Sequence, residues 1–325
     1  MADLPTLVFI PGSWHQPTCY NKVTKILREQ YQMRCTAVTL PSTNGDPEST
    51  FKDDLDAAQT AISDETSQSR DVVVIAHSYG GMVGNSAIKG FASRIQSNSN
   101  DSSTLSGQVI GLVLIASGFT LTGLSFMDPL FGIPPPTWRV NRETGFAELV
   151  TPPRQLFYHD VPADEADYWV SQLTPQSLKA LFEGGEYAYA GWQDVPVWYI
   201  GTTKDKGLPV ALQRVNVGMA RELGADVVHR ELQSSHSPFL SQPDETVDLL
   251  WEAVVALTGK TDDRAQASFR TKEAEVPAVL LWQPYSWFKY GLPLTLGHAI
   301  GRGLLIFRGA QRLWRAVSSS KAKSS

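Results

Sequence analysis

Cysteine is nearly missing from this 325-residue chain; only Cys19 and Cys35 are present. They flank a predicted helix and set up no framework of paired spacings. That excludes a disulfide-stapled secreted scaffold and points to a reducing, intracellular, cytoplasmic setting. No basic segment leads into an apolar run of secretory length, because residues 7–10 stop at Pro11-Gly12. Long apolar runs are also lacking. The uncharged stretch 290–301 is broken by Pro293 and is too short to span a bilayer. No Gly-Lys-Ser/Thr phosphate loop occurs, and Gly297, Gly301 and Gly303 miss the Gly-x-Gly-x-x-Gly spacing. No His, Cys and carboxylate set has zinc spacing, and no arginine cluster would hold a phosphate. No metal and no cofactor is therefore expected. A formal net charge of −5 argues against a nucleic-acid partner held by bulk charge. Acid is missing from the end of the chain. After Glu275 there are seven Lys and Arg and no Asp or Glu, so the tail carries +7 and residues 1–275 carry −12.

With 42% apolar and 19% charged residues, the chain is globular and long enough for a large core. Short apolar runs at 7–10, 35–40, 72–76, 109–116, 195–201 and 227–232 read as strands. Helical periodicity lies between them, near 18–30, 50–62, 80–88, 208–223 and 243–257. Continuous apolar strands alternating with helices predict an α/β fold, a mostly parallel doubly wound sheet covered on both faces. Residues 96–107 read as a polar loop. The alternation breaks over 118–194, which holds 13 of the 32 aromatic residues and two amphipathic segments near 162–173 and 175–183. These 77 residues read as a mainly helical lid inserted into a core of 1–117 and 195–258. Residues 259–325 form a charged linker and a basic amphipathic tail.

The sharpest motif is Val72-Val73-Val74-Ile75-Ala76-His77-Ser78-Tyr79-Gly80-Gly81. It is a buried strand, then small-x-Ser-x-Gly, then a helix. A serine hydroxyl is a weak nucleophile until a tight turn exposes it beside a base, and that turn tolerates only small flanking residues. Ser78 is the candidate nucleophile. His77 points away from the turn and reads as packing. His236, in a loop after the last strand, is the candidate base. His229 reads as structural and His159 as part of the lid. Asp205, after the strand near 195–201, is the candidate acid. Its competing reading is a surface carboxylate between Lys204 and Lys206. An oxyanion hole needs two backbone N–H groups, and those of Ser13 and Tyr79 are the candidates.

Four segments carry a resemblance: Phe9-Ile10-Pro11-Gly12-Ser13, Ala76-His77-Ser78-Tyr79-Gly80-Gly81, Asp205-Lys206-Gly207-Leu208-Pro209 and Ser235-His236-Ser237-Pro238-Phe239. Over roughly residues 5–258 the chain resembles the α/β-hydrolase superfamily. Within it, the chain is similar to the plant methyl-ester esterase and hydroxynitrile lyase group with its bacterial and fungal relatives. The resemblance implies Ser78, His236 and Asp205 as the triad, with Ser13 and Tyr79 as oxyanion donors. Two departures stand out. Pro11 replaces the His usual before the glycine. Ser237 stands where the lyases carry a Lys, which favours hydrolysis. Many fungal relatives serve natural-product pathways.

Trp14, His15, Phe119, Phe126, Trp138 and Trp192 are expected to line an apolar pocket over Ser78, with Phe131, Phe157, Trp169 and Phe182 as further candidates. Such a pocket predicts an ester, lactone or thioester of a medium-sized apolar or aromatic substrate. Two other readings stay open: a non-hydrolytic lyase or cyclase using the same pocket, and a small-molecule binding protein with a vestigial triad. In the tail, Ile306, Phe307, Ala310, Leu313, Trp314 and Val317 fall on one helical face and Arg308, Gln311, Arg312 and Arg315 on the other. The expected partners of 276–317 are an anionic membrane surface or, alternatively, the acidic body or a second subunit. Removal after Thr258 is expected to leave a soluble, active enzyme.

Overall fold

A computed structural model describes residues 4–92, 107–260, 274–277, 279 and 282–322. The loop read over 96–107 and the linker read over 260–275 lie almost wholly outside the described residues.

Six strands make the main sheet: β1 (Thr6–Ile10), β2 (Cys35–Ala37), β3 (Val72–His77), β4 (Val109–Ile115), β8 (Val197–Thr202) and β9 (Val227–Leu232). Their order is β2-β1-β3-β4-β8-β9, and every pair is parallel. The apolar runs are unbroken because both faces are covered. On β1, Leu7 and Phe9 pack with α1 (Asn21–Tyr31) and α9 (Pro243–Thr258). Val8 and Ile10 pack with α2 (Phe51–Thr66) and α3 (Gly80–Ala87), and on the same face α7 (Val210–Glu222) covers β8 and β9. Helix α2 starts at a capping box, in which Thr50 and Asp53 satisfy each other's backbone N–H.

Topology places the site. The chain leaves β1 for the edge strand β2 and returns past β1 to β3, so the loops after β1 and β3 part at their carboxyl ends. A crevice forms at such a switch point. Register sets its walls. Ile10 pairs with Ala76, which brings Pro11–Ser13 beside His77 and Ser78. Thr202 pairs with Leu232, which brings Asp205 toward His236.

The insertion between β4 and β8 carries α4 (Pro153–Phe157), α5 (Ala163–Ser171) and α6 (Leu178–Phe182). It also holds what sequence periodicity missed, an antiparallel sheet of β5 (Trp138–Asn141), β6 (Phe146–Leu149) and β7 (Gln176–Ser177). These strands are two to four residues long, β5 and β6 half-buried and β7 buried, too short for a period-2 pattern to stand out.

The tail ends in α10 (Leu292–Ala322), which lies on α7. The approach is close enough that only glycine fits. A Cβ on Gly218 would sit 2.3 Å from the Leu294 carbonyl oxygen, and one on Gly297 would sit 2.1 Å from that of Val215. Glu222 pairs with Arg302 at 2.9 Å and His298 at 3.0 Å. Among the described residues no helix is long and apolar enough to cross a membrane.

Candidate active site

The site starts at a strained turn. Strand β3 ends at His77, Ser78 takes φ +52°, and α3 begins at Gly80. A left-handed backbone costs a serine roughly 1–2 kcal/mol, so the surroundings must impose it. They do so from three sides. The Ser78 N–H donates to the Ile115 carbonyl at 3.1 Å, and the Ser117 hydroxyl donates to the Ser78 carbonyl at 2.7 Å. A Cβ on Gly80 would lie 2.3 Å from the Pro11 carbonyl oxygen, so the small residue there lets α3 start against the β1 loop. A Cβ on Gly12 would lie 2.9 Å from the Ser78 Cβ, which makes that loop the floor beside the hydroxyl.

Asp205 is no surface carboxylate. Its side chain is fully buried, three residues past β8. Oδ1 accepts the Gly207 and Leu208 N–H groups at 2.7 and 2.8 Å. Oδ2 accepts the Thr202 hydroxyl at 2.7 Å and lies 2.7 Å from His236 Nδ1. Burial alone would raise this carboxyl, but the nearby His236 charge and these hydrogen bonds outweigh it and hold it below its ordinary value. The two residues, 31 apart in sequence, are thus in direct contact.

His236 is in turn fixed to the strand that carries Ser78. His77 Nε2 lies 2.9 Å from the His236 carbonyl oxygen, and the two rings are 4.6 Å apart. That geometry makes Nε2 the protonated nitrogen of His77, since a carbonyl only accepts. Burial, then the neighbouring His236 and His15 charges, push His77 well below the usual histidine range, so it is a neutral spacer. The insertion adds two struts to the loop just before His236. The Ser235 N–H donates to Asp160 Oδ2 at 2.7 Å, and the Ser235 hydroxyl donates to the Phe157 carbonyl at 2.8 Å.

The expected oxyanion donors sit on the two loops that meet at the switch point. Ser13 is buried, its carbonyl accepts from His15 Nδ1 at 2.8 Å, and Trp14 beside it takes φ +62°. His15 Nε2 accepts the Tyr158 hydroxyl at 2.8 Å. Burial is the main reason His15 is pushed down to about 4, and it spends the neutral ring on tying the Ser13 loop to the lid. Tyr79 is held by its hydroxyl, which donates to Asp54 Oδ2 at 2.7 Å; the Ser42 hydroxyl donates to the same oxygen at 2.6 Å. Burial pushes Asp54 up to about 6 against the pull of these bonds. Outside the regular elements, no described hydrogen bond uses the Ser13 or Tyr79 N–H.

The aromatic candidates divide. Phe157 lies 5.6 Å from the His236 ring and 6.0 Å from Trp14. Trp14 meets Trp138 at 6.2 Å, and Trp138 meets Phe182 at 6.2 Å. Phe126 covers the Tyr79 ring at 5.4 Å. These five touch His236, Tyr79 or one another beside the Ser78 turn and are the candidates for an apolar roof. Trp192 and Phe119 do not belong to it. Trp192 has no exposed surface, donates to the Thr120 carbonyl at 2.6 Å and packs edge-on against Phe119, which stacks on Tyr199. They fasten the lid to the sheet. His15 stands behind the roof at 2% exposure, and Phe131 lies out in solvent. Trp169 is buried and donates to Glu165. Of the other histidines, His159 is on the lid surface and His229 is buried mid-strand. Among the described residues no group of His, Cys, Asp and Glu could hold a metal ion. Sequence reasoning passed over Asp54, Tyr158 and Asp160. Nothing local marks them, because their partners come from other elements.

A relative from Aspergillus novofumigatus, the alpha/beta hydrolase nvfD, is 26% identical over 252 residues, covering 77% of this chain and 96% of its own. The crystal structure of a pyrethroid hydrolase from Sphingobium faniae superposes with a TM-score of 0.60 at 18% identity, over 79% of this chain and 100% of that one. A polyneuridine aldehyde esterase variant superposes with a TM-score of 0.57 at 18% identity, over 80% of this chain and 100% of that one. At these identities the solved structures speak for the fold. The model of the alpha/beta hydrolase family matches residues 7–249, so the chain belongs to that family and is a hydrolase enzyme.

Proposed function

We propose that the protein is a serine hydrolase that cleaves a carboxylic ester, lactone or thioester of a medium-sized apolar or aromatic substrate through an acyl-enzyme on Ser78. The observation that carries this reading is the 2.7 Å contact of His236 Nδ1 with the buried Asp205, on a loop bonded to the residue beside a serine at φ +52°. In this reading His236 takes the Ser78 proton as the hydroxyl attacks the carbonyl carbon. Asp205 keeps the proton on Nδ1, leaving Nε2 as the base, and stabilises the imidazolium. The Ser13 and Tyr79 N–H groups receive the developing oxyanion. His236 returns its proton to the leaving alcohol or thiol, and water releases the acyl group by the same steps reversed.

The roof of Phe157, Trp14, Trp138, Phe182 and Phe126 supports an apolar or aromatic substrate. Ser237, buried where the lyases resembled above carry a Lys, supports hydrolysis over cyanohydrin cleavage. A place in fungal natural-product metabolism is part of the proposal, and the Aspergillus relative is in keeping with its fungal side alone. A fluorophosphonate probe tests the core of it. The native chain should label, Ser78→Ala should not, and Ser78→Ala should lose roughly 10⁴-fold or more of the rate on the best p-nitrophenyl or methyl ester of a panel. A folded native chain that takes no label speaks for a non-hydrolytic or vestigial site and sinks the proposal.

A further inference from the structure

Helix α10 has two apolar sides, and the body uses only one of them. Leu294, Gly297, Gly301 and Leu304 face α7 and its surroundings. At 100° per residue, Leu292, Leu296, Ile300, Phe307 and Trp314 fall within about 80° of one another on the other side. All five are open to solvent, at 51%, 52%, 42%, 60% and 75% exposure. The stripe runs about 33 Å along the helix. Before its start, Trp282, Tyr285 and Phe288 are exposed at 77%, 75% and 74%. Scattered exposed apolar residues are ordinary, but a continuous stripe of this length is not.

We infer that this stripe is a docking face for an anionic lipid surface. Charge selects the occupant. The chain from residue 276 onward has seven basic residues and no acid. Of these, Lys289 lies against the rings of Tyr285 and Tyr290 at the start of the stripe, and Arg302, which pairs with Glu222, sits on its flank with 73% of its side chain exposed. Two such tails laid face to face would bring like charges together, whereas acidic headgroups complement them. Residue type points the same way. Trp and Tyr with basic neighbours suit the boundary between headgroups and acyl chains, where an apolar helix face lies in the interface plane. The α7 contact holds the helix so that the stripe faces away from the body. The docked state is peripheral, in keeping with the lack of a spanning helix among the described residues.

Flotation of the full chain on a density gradient tests this, since aggregates do not rise with vesicles. The chain should float with phosphatidylcholine vesicles containing phosphatidylserine and much less with phosphatidylcholine alone. Raising salt from about 0.1 M to about 1 M, which shortens the screening length from about 10 Å to about 3 Å, should cut binding several-fold. The double variant Leu296→Glu, Phe307→Glu should bind roughly a hundredfold more weakly. Its melting temperature and ester hydrolysis should be unchanged, because both side chains point away from α7. A native chain that stays at the bottom with phosphatidylserine vesicles overturns the inference. So does a double variant that floats as well as the native chain. A dimer in light scattering that the double variant abolishes would likewise overturn it, by assigning the stripe to a second copy.

Discussion

At the scale of single residues, spacing along the chain singles out Ser78, Asp205 and His236 as candidates, because each follows a strand whose local pattern is strong, and the structure brings Asp205 and His236 into contact. Spacing does not name the groups that hold them. The His15–Tyr158 bond spans 143 positions and the Tyr79–Asp54 bond spans 25, and neither leaves a local signature. For the same reason Trp192 and Phe119 looked like pocket walls: an aromatic residue reads alike whether it lines a cleft or fills a core. Buried histidines carry a testable consequence. His229 is pushed down to about 3 by burial, then by the Arg221, Arg214 and Arg230 charges. Neither of its ring nitrogens has a hydrogen-bond partner. Glu231 Oε1 is 3.4 Å away but accepts from Arg214 at 2.7 Å, so it does not hold a proton on this ring. The unfolded chain binds a proton here at about pH 6.5 and the folded chain only near 3, so stability falls as pH drops between those values. His229→Leu should remove that component and leave the fold at least as stable near pH 7, where an unpaired buried ring is lost. Melting curves at about pH 7 and about pH 4.5 check it. The variant should show the smaller drop in melting temperature; an equal drop would mean that His229 takes up its proton in the folded state.

At the scale of elements, the inner strands β1, β3, β4 and β8 were legible because parallel strands covered on both faces are apolar almost throughout, whereas the edge strands β2 and β9 carry polar residues. The strands of the insertion were not legible, since two to four residues carry too little pattern. Helix α10 was half legible. Its amphipathic end showed in the sequence, but its contact with α7 depends on glycines that periodicity passes over. A Cβ on Gly301 would lie 2.9 Å from the Met219 carbonyl oxygen, and one on Gly297 only 2.1 Å from that of Val215. The atoms in the way are backbone, so neither helix can yield by a rotamer change. Gly297→Leu should therefore lift α10 from α7. The expected cost is about 1–3 kcal/mol, the usual range for overpacking. Limited proteolysis should then cut residues 292–322 several-fold faster, while ester hydrolysis stays at the native rate. Unchanged protection of the tail would show that some other contact holds it.

For the whole molecule, the last fifth of the chain bears on the stability of the rest. All residues proposed for the chemistry precede Gly259, which is why removal after Thr258 was expected to leave a soluble, active enzyme. The structure separates those two properties. Strand β9 is the edge of the sheet, and its Glu231 N–H donates to the Ala274 carbonyl at 2.8 Å. Exposed strand edges invite pairing with other chains. Close by, Arg214 and Glu231 form a buried ion pair whose cover comes from the tail. The Arg214 guanidinium donates to the Lys289 carbonyl at 2.6 Å and lies 4.3 Å from the Tyr290 ring centre. Taking the tail away also bares the α7 face that Leu294 and Gly297 now cover. Among the described residues, no described hydrogen bond or ring contact joins the tail to Ser78, Asp205, His236 or the insertion. The chain truncated after Thr258 should therefore take the fluorophosphonate label and turn over ester at near the native rate per labelled site. It should also melt several degrees lower, as loss of a few kcal/mol does in a domain of this size, and associate in size-exclusion chromatography. A truncated chain as stable and monomeric as the full one would show that the tail adds nothing to the fold. One that is folded yet takes no label would show that the tail reaches the site.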